Sequence, residues 1–135
     1  MAASFIDTNV LLYLASDDAA KAGRAEAAVA AGGVISVQVL NELANVARRK
    51  MRMSFAETDA FLELVRSLLT VHPLTVETHE VGLALAERYG FSVYDAMIAA
   101  AALQAGCDIL LTGDLQDGLA LDEGLRVVNP FRGPA

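Results

Sequence analysis

Short apolar segments alternate with longer helical segments along the whole chain, and this alternation restricts the fold more than any other feature. Residues 3–6 and 108–112 have the length and hydrophobicity of buried strands. The segments between such strands are rich in alanine, and several of them end at glycine, as helices do. Because strands that are separated by helices pair in parallel, the sequence predicts an α/β fold with a central parallel sheet.

The periodicity of apolar residues and the capping signals give approximate boundaries for each element. The predicted strands cover residues 3–6, 34–35, 70–74, 108–112 and 125–128, and the predicted helices cover residues 10–15, 17–31, 37–50, 54–69, 75–89 and 93–105. Ser36 is an expected helix N-cap, and Ser54 with Glu57 forms an expected capping box. Pro73 predicts that the strand around it is short or lies at an edge.

The length of 135 residues suits one compact domain, so residues 1–135 are expected to form a single unit. The longest apolar run, residues 96–103, is far shorter than the roughly 20 residues of a membrane span. Residues 1–7 contain neither a basic segment nor a hydrophobic segment of signal-peptide length. The single cysteine, Cys107, excludes an internal disulfide and a cysteine-rich zinc site. A soluble, cytoplasmic protein is therefore expected.

The net charge of −7 opposes nucleic-acid binding, because contacts with phosphates need cations. Four of the ten Lys and Arg residues nevertheless cluster in residues 48–52. These cations fit two compatible roles, stabilisation of a helix C-terminus and contact with phosphates. A carboxylate pocket that binds divalent cations would in addition reverse the sign of its own local charge.

Three aspartates from distant segments are expected to meet at one edge of the sheet. Asp7 follows the first predicted strand, and Asp114 follows the strand at 108–112 through the turn that contains Thr112. Asp95 lies in the first turn of the helix that leads into this second strand. Ligands of such sheets bind beyond the carboxyl ends of the strands. Neighbouring carboxylates repel unless they share a proton or a cation, and an all-oxygen donor set favours Mg²⁺ or Mn²⁺ over zinc.

Each acid also has a purely structural interpretation, which the residues alone leave open. Asp7 and Asp114 fit the capping of turns, and Asp95 with Ser92 fits a variant capping box. Glu42 falls on the polar half of its predicted helix, where a solvated surface glutamate is the simpler interpretation.

Several other chemistries lack the residues that they need. The two histidines, His72 and His79, lie away from the acids, which argues against a histidine base or a zinc site. Residues 90–94 miss the last glycine of a nucleophile elbow, and no glycine loop of the phosphate-cradling type is present. Asn9 stands where phosphotransferases of the haloacid dehalogenase type need a second aspartate, and the acidic pair of receiver domains is missing.

Four motifs follow one another along the chain: Phe5-Ile-Asp7-Thr8-Asn9-Val-Leu-Leu-Tyr-Leu, Ser36-Val-Gln-Val-Leu-Asn41-Glu42, Ser92-Val-Tyr-Asp95-Ala96 and Ile109-Leu-Leu-Thr112-Gly-Asp114-Leu-Gln-Asp-Gly118. In this order they resemble the motifs of PIN domains, specifically the VapC-type ribonuclease toxins of bacterial toxin–antitoxin pairs. The segment Val127-Val-Asn-Pro-Phe131 resembles the usual close of the family, so the resemblance spans residues 4–131.

The resemblance implies a PIN-like three-layer sandwich and an Mg²⁺- or Mn²⁺-dependent endoribonuclease. The acidic quartet that it implies consists of Asp7, Glu42, Asp95 and Asp114, and the polar residues that it implies as support are Thr8, Asn9 and Thr112. Within the quartet, Asp7, Asp95 and Asp114 would be the metal ligands, and Glu42 would orient a water molecule.

The resemblance further implies an RNA substrate, a homodimer and a cognate antitoxin that inserts Arg or Lys into the acidic pocket. Gly113 is a departure, because relatives often carry an acid there, but that position is usually not a ligand. Asp117 fits either an additional acid around the site or a turn with Gly118. The alternative function is a PIN-like domain that binds RNA or protein without cleavage, and the presence of all four acids ranks it second.

Overall fold

A five-stranded parallel sheet forms the centre of the structure, a computed structural model that describes residues 3–132. The strands are β1 (Ser4–Ile6), β2 (Val34–Ser36), β3 (Thr70–His72), β4 (Ile109–Leu111) and β5 (Arg126–Val128). Their order across the sheet is β3-β2-β1-β4-β5, and every neighbouring pair is parallel. The predicted central parallel sheet is confirmed.

Six α-helices connect the strands. They are α1 (Thr8–Leu12), α2 (Ala19–Ala30), α3 (Val37–Arg49), α4 (Phe55–Leu68), α5 (Val76–Tyr89) and α6 (Val93–Gln104). A 3-10 turn, Tyr13–Ala15, follows α1 directly. None of the helices within residues 3–132 combines the length and the hydropathy that a membrane crossing requires.

The connections between the strands reverse direction once, and this reversal creates a switch point between β1 and β4. The chain steps from β1 to β2 to β3 in one direction, and then returns past β1 to form β4 on its other side. Right-handed crossovers therefore place α1 to α4 on one face of the sheet and α5 and α6 on the other. The carboxyl ends of β1 and β4 flank the switch point, where open α/β sheets bind their ligands.

The core lies between the sheet and these helices. Phe5 and Leu110 from the central strands are fully buried, as are the four alanines at 99–102 in α6. Small side chains allow α6 to approach the sheet closely, and α5 packs on α6 in turn. A Cβ atom at Gly82 of α5 would lie 2.6 Å from Met97 Sδ of α6, so a larger residue there would force the end of the Met97 side chain to shift.

The prediction that the first helix covers residues 10–15 was wrong at both ends. The helix begins at Thr8, because the carboxylate of Asp7 accepts a hydrogen bond from the Thr8 backbone N–H and so acts as the N-cap. It ends at Leu12, where the backbone tightens into the 3-10 turn.

Most of the other boundaries differ by one or two residues, and the capping predictions for Ser36 and Ser54 are confirmed. The second helix begins at Ala19, because the carboxylate of Asp18 caps it, and the strand predicted at 108–112 keeps only Ile109–Leu111. Ser36 caps α3, Ser54 forms its capping box with Glu57, and the strand before Pro73 lies at the edge of the sheet.

Candidate active site

Asp7 lies where β1 ends and α1 begins. Its backbone is extended, with φ −77° and ψ 159°, and its Oδ1 accepts a hydrogen bond of 2.7 Å from the Thr8 backbone N–H. The capping interpretation of Asp7 is therefore correct, but it accounts for only one of the two carboxylate oxygens. Asp7 is 4% exposed, which is rare for an aspartate without a cation partner.

The second oxygen of Asp7 joins the ends of two strands. Asp7 Oδ2 accepts hydrogen bonds from the Thr112 hydroxyl at 2.9 Å and from the Asn9 amide at 3.1 Å. Burial raises the pKa of Asp7 from its usual 3.8 to about 7, the bonds from Thr112 and Thr8 oppose this rise, and the nearby charges of Glu42 and Asp114 add to it. The fold thus holds a desolvated carboxylate that a cation would stabilise.

Asp114 lies just beyond β4, on the other side of the switch point. Its backbone N–H donates to the Thr112 hydroxyl at 3.1 Å, and its Oδ2 accepts a hydrogen bond of 3.1 Å from the Asn9 amide. The Gly113 backbone N–H donates to Asn9 Oδ1 at 2.8 Å. Asn9 therefore ties the loop after β4 to the start of α1, and it fixes Asp114 relative to Asp7.

Asp95 reaches the same place from the first turn of α6. The Ser92 hydroxyl accepts a hydrogen bond from the Asp95 backbone N–H at 3.2 Å, so Ser92 caps the helix. Within the described residues, the Asp95 carboxylate does not return a bond to the Ser92 backbone. Ser54 and Glu57, in contrast, make both bonds of their capping box. The full-box interpretation of Asp95 was therefore wrong, and its carboxylate remains available to the site.

The three aspartates form one cluster. Asp7, Asp95 and Asp114 each place a carboxylate oxygen so that all three oxygens lie within 4.8 Å of one another. They are not dispersed among separate turns, as a purely structural interpretation requires. Three carboxylates at this distance, one of them buried, repel one another strongly unless a cation or protons compensate them. Oxygen-only ligands of this kind suit a hard divalent cation.

Glu42 lines the same cavity without belonging to the cluster of three oxygens. The cavity has a volume of about 290 Å³ and also contains the three aspartates in its wall. Glu42 Oε1 accepts a hydrogen bond of 2.5 Å from the Thr8 hydroxyl, and Oε2 accepts one of 3.0 Å from Gln38. The half-buried Glu42 is thus held in place by α1 and by its own helix, unlike a solvated surface glutamate.

The sequence matches the family model described as PIN domain over residues 4–116. The chain belongs to the PIN domain family. A comparison of the sequence with curated proteins finds no match.

Solved structures share the fold of this PIN domain over nearly its whole length. A toxin–antitoxin complex from Klebsiella pneumoniae matches with a TM-score of 0.72 and 22% identity, over 94% of this chain and 97% of that chain. VapC20 of Mycobacterium tuberculosis, described as a toxin that cleaves the sarcin–ricin loop, matches with a TM-score of 0.66 and 22% identity, over 82% and 91%. VapBC2 from Rickettsia felis, bound to a promoter DNA fragment, matches with a TM-score of 0.66 and 19% identity, over 92% and 96%.

Two other features that the sequence singled out have structural roles in this PIN domain. Asp117 accepts a hydrogen bond of 2.8 Å from the Asn129 backbone N–H, so it braces a loop and lies outside the cluster of oxygens. In the basic segment at 48–52, the Arg48 guanidinium lies 3.8 Å from the centre of the Phe55 ring and donates to the Met53 carbonyl at 2.7 Å. Arg48 therefore joins α3 to the turn before α4 and to the first residue of α4, and contact of the other cations with phosphates stays a prediction.

A second cavity, which the sequence did not predict, lies beside the acidic one in the PIN domain. It has a volume of about 330 Å³ and shares Asn9 and Asp114 with the acidic cavity. Its other wall contains Tyr13, Lys21, Asn129, Phe131 and Arg132. No local pattern in the sequence signals this cavity, because it forms only when the last segment of the described chain packs against α2. A larger cavity of about 680 Å³ is lined by none of Asp7, Glu42, Asp95 and Asp114.

Proposed function

We propose that the chain is a cytoplasmic, metal-dependent endoribonuclease and the toxin of a bacterial toxin–antitoxin pair. The observation that carries this proposal is the meeting of Asp7, Asp95 and Asp114 at the switch point of a PIN domain. The similar toxin from M. tuberculosis, whose name records cleavage of the sarcin–ricin loop, and the toxin–antitoxin complex from K. pneumoniae support it.

The metal ion of the proposed enzyme is Mg²⁺ or Mn²⁺, with Asp7, Asp95 and Asp114 as its protein ligands. The donor set fits, because the cluster offers three carboxylate oxygens and no nitrogen or sulfur, and because burial leaves Asp7 in need of a positive partner. When bound, such an ion supplies charge neutralisation at the phosphoryl oxygens and makes water a better nucleophile.

The other polar residues orient these acids. Thr112 and Asn9 fix one oxygen of Asp7, and Asn9 also fixes Asp114, so the spacing of the ligands is set before an ion arrives. Glu42 is the residue that we assign to the attacking water. Each Glu42 oxygen can accept one hydrogen bond in addition to those from Thr8 and Gln38. The carboxylate can therefore accept a hydrogen bond from the attacking water.

The test is cleavage of total RNA by the purified protein in the presence of Mg²⁺ or Mn²⁺, with EDTA as the metal-free control. We expect cleavage that EDTA stops and that the Asp7→Asn variant lacks. Asp59→Asn is the matched control, because Asp59 is an exposed aspartate in α4, remote from the cavity. Cleavage by Asp7→Asn at the wild-type rate would overturn the site assignment. Binding of RNA without cleavage under every metal condition would favour the inert PIN-like domain instead.

We also propose a cognate antitoxin as partner and a homodimer as the free state. The acidic cavity is chemically suited to receive an Arg or Lys side chain, which would compensate the same three carboxylates as a metal ion. Light scattering measures the mass of the free protein, and co-expression with the neighbouring small reading frame tests for a stable complex. A monomeric mass would overturn the dimer, and failure to co-purify would overturn this partner.

A further inference from the structure

The second cavity, defined by Tyr13, Lys21, Asn129, Phe131 and Arg132, opens directly beside the acids. Its volume of about 330 Å³ lies within the size range of small-ligand sites, and it shares Asn9 and Asp114 with the acidic cavity. If a nucleic-acid strand places one phosphodiester at the acids, the second cavity is adjacent to the next nucleotide of that strand.

The wall of the second cavity is held in place although its last segment is irregular. The Arg24 guanidinium of α2 donates to the Pro130 carbonyl at 3.0 Å. The Asp117 carboxylate accepts from the Asn129 backbone N–H at 2.8 Å, and Asn129 Oδ1 accepts from the Phe131 backbone N–H at 2.9 Å. The first two bonds fix residues 129–131 against α2 and the loop after β4, and the third holds the turn within this segment.

An aromatic pair forms part of this wall. The rings of Tyr13 and Phe131 are half-buried and meet edge to face, with centroids 4.7 Å apart and an interplanar angle of 65°. Unpaired nucleobases pack on aromatic side chains of this kind, and they do so with little dependence on sequence. The aromatic pair therefore suits a base more than it suits a purely ionic ligand.

Two cations border the same cavity in a chain whose net charge is −7. Lys21 Nζ lies 3.4 Å from the Tyr13 hydroxyl and 4.9 Å from the centre of its ring, and Arg132 is exposed. Within residues 3–132, the ion pairs involve Arg88, so neither of these cations is neutralised by a described carboxylate. Positive charge beside an acidic site is what a phosphate backbone requires.

We infer that the second cavity is the subsite for an unpaired nucleotide that adjoins the scissile phosphodiester. Tyr13 and Phe131 contact its base, and Lys21 and Arg132 contact its flanking phosphate. This inference rests on the proposed nuclease function, and it adds that the substrate is single-stranded at this position, because a base in a duplex cannot reach an aromatic wall.

The experiment uses a short, labelled single-stranded RNA of mixed sequence with the full chain. Lys21→Gln removes the cation, and Tyr13→Leu removes the ring. The control for Lys21→Gln is Arg126→Gln, which removes the same charge from an exposed residue at the start of β5, where the amino ends of the strands lie, and Tyr13→Phe is the comparison that keeps the ring. Cleavage with Mn²⁺ gives KM and kcat, and fluorescence anisotropy in EDTA gives binding as a function of salt. Circular dichroism shows that each variant is folded.

We expect Tyr13→Leu to raise KM by roughly 5- to 100-fold, as the loss of one stacked base does, with little change in kcat. Lys21→Gln should raise KM and lower the slope of log Kd against log salt by about 0.7, the value for one phosphate contact on a single strand. Arg126→Gln should match the wild type, and Tyr13→Phe should raise KM less than Tyr13→Leu does.

The outcomes separate the two proposals. If the wild type cleaves RNA while Tyr13→Leu and Lys21→Gln keep its KM and its salt slope, the subsite is overturned and the nuclease stands. If the wild type does not cleave, the nuclease proposal fails, and the anisotropy slopes alone decide the subsite. An unchanged slope for Lys21→Gln overturns it in that case, and a slope reduced by about 0.7 supports it as a binding site.

Discussion

The Thr112 hydroxyl donates a hydrogen bond of 2.9 Å to Asp7 Oδ2, and this bond joins the carboxyl ends of β1 and β4. Thr112 itself is fully buried, and its oxygen also accepts from the Asp114 backbone and from the Asn9 amide. One hydroxyl therefore connects two of the acids across the switch point of the sheet.

Thr112→Val keeps the shape of this side chain and removes its hydrogen bonds. We expect a loss of about 1–3 kcal/mol in the free energy of unfolding, because buried polar partners are left unsatisfied. Urea unfolding in metal-free buffer measures the loss. Thr112→Ser retains the hydroxyl and should keep most of the stability. Equal stability of Thr112→Val and the wild type would show that the hydroxyl has no structural role.

Asp7 should make the stability of the metal-free protein depend on pH. Its pKa is raised to about 7, so the folded state keeps a proton that the unfolded chain releases near 3.8. The contribution of Asp7 to the free energy of unfolding therefore falls as pH rises between these two values, by about 1.4 kcal/mol per unit of pKa difference, and is constant above them.

The Asp7→Asn variant isolates this contribution, since it removes the titrating group. Urea unfolding in EDTA at about pH 5 and about pH 8 should show a smaller loss of stability for the variant than for the wild type. Asp59→Asn, at an exposed position, should follow the wild type. Parallel pH profiles for the wild type and Asp7→Asn would contradict the raised pKa.

Variants of Ser92 and Asp95 should separate the effect of helix capping on stability from the effect of metal binding. Ser92→Ala removes the N-cap of α6, and we expect a loss of about 1 kcal/mol in the free energy of unfolding. Its stabilisation by Mn²⁺ should remain, near 2.7 kcal/mol at an ion concentration about 100 times Kd. Asp95→Asn should keep the metal-free stability and lose this stabilisation. Thermal unfolding with and without Mn²⁺ measures both, and a full Mn²⁺ effect in Asp95→Asn would remove Asp95 from the ligand set.

Thr8 should influence cleavage through Glu42. Thr8→Val removes the hydroxyl that donates to Glu42 but keeps the backbone N–H that Asp7 caps. We expect the cleavage rate to fall about 10-fold or more, as it does when a residue that orients a site is lost. Thr8→Ser should retain activity. Because both residues act through one carboxylate, the double variant with Glu42→Gln should cleave no more slowly than Glu42→Gln alone. Additive losses would show that Thr8 acts independently.

The convergence of the three aspartates was predictable from the sequence. Asp7 and Asp114 each follow an apolar strand, and parallel strands bring their carboxyl ends to one edge whatever their order. Ser92 was also predictable as a cap, since the residue type and its position before an apolar helix suffice. These predictions rest on local patterns and on one general rule for parallel sheets.

The environment of Glu42 and the second cavity were not predictable, since both depend on contacts between distant segments. Glu42 is on the polar half of α3, and only the position of Thr8 in α1 shows that its carboxylate is held. Arg24 contacts Pro130, which is 106 residues away in the chain, and neither residue type predicts that contact. The start of α1 shifted by two residues for a simpler reason, because the Asp7 carboxylate itself caps the helix.

The register between β1 and β4 limits how the length of this chain can vary. Ile6 pairs with Leu111, and the Asp7 backbone N–H bonds the Leu111 carbonyl, so Asp7 and Thr112 are level at the edge of the sheet. One extra residue in either strand would move the following side chain by about 3.3 Å and turn it to the opposite face. Insertions and deletions are therefore excluded from these two strands. Turns at the amino ends of the strands, such as the one before β5, can change length without moving Asp7 or Asp114.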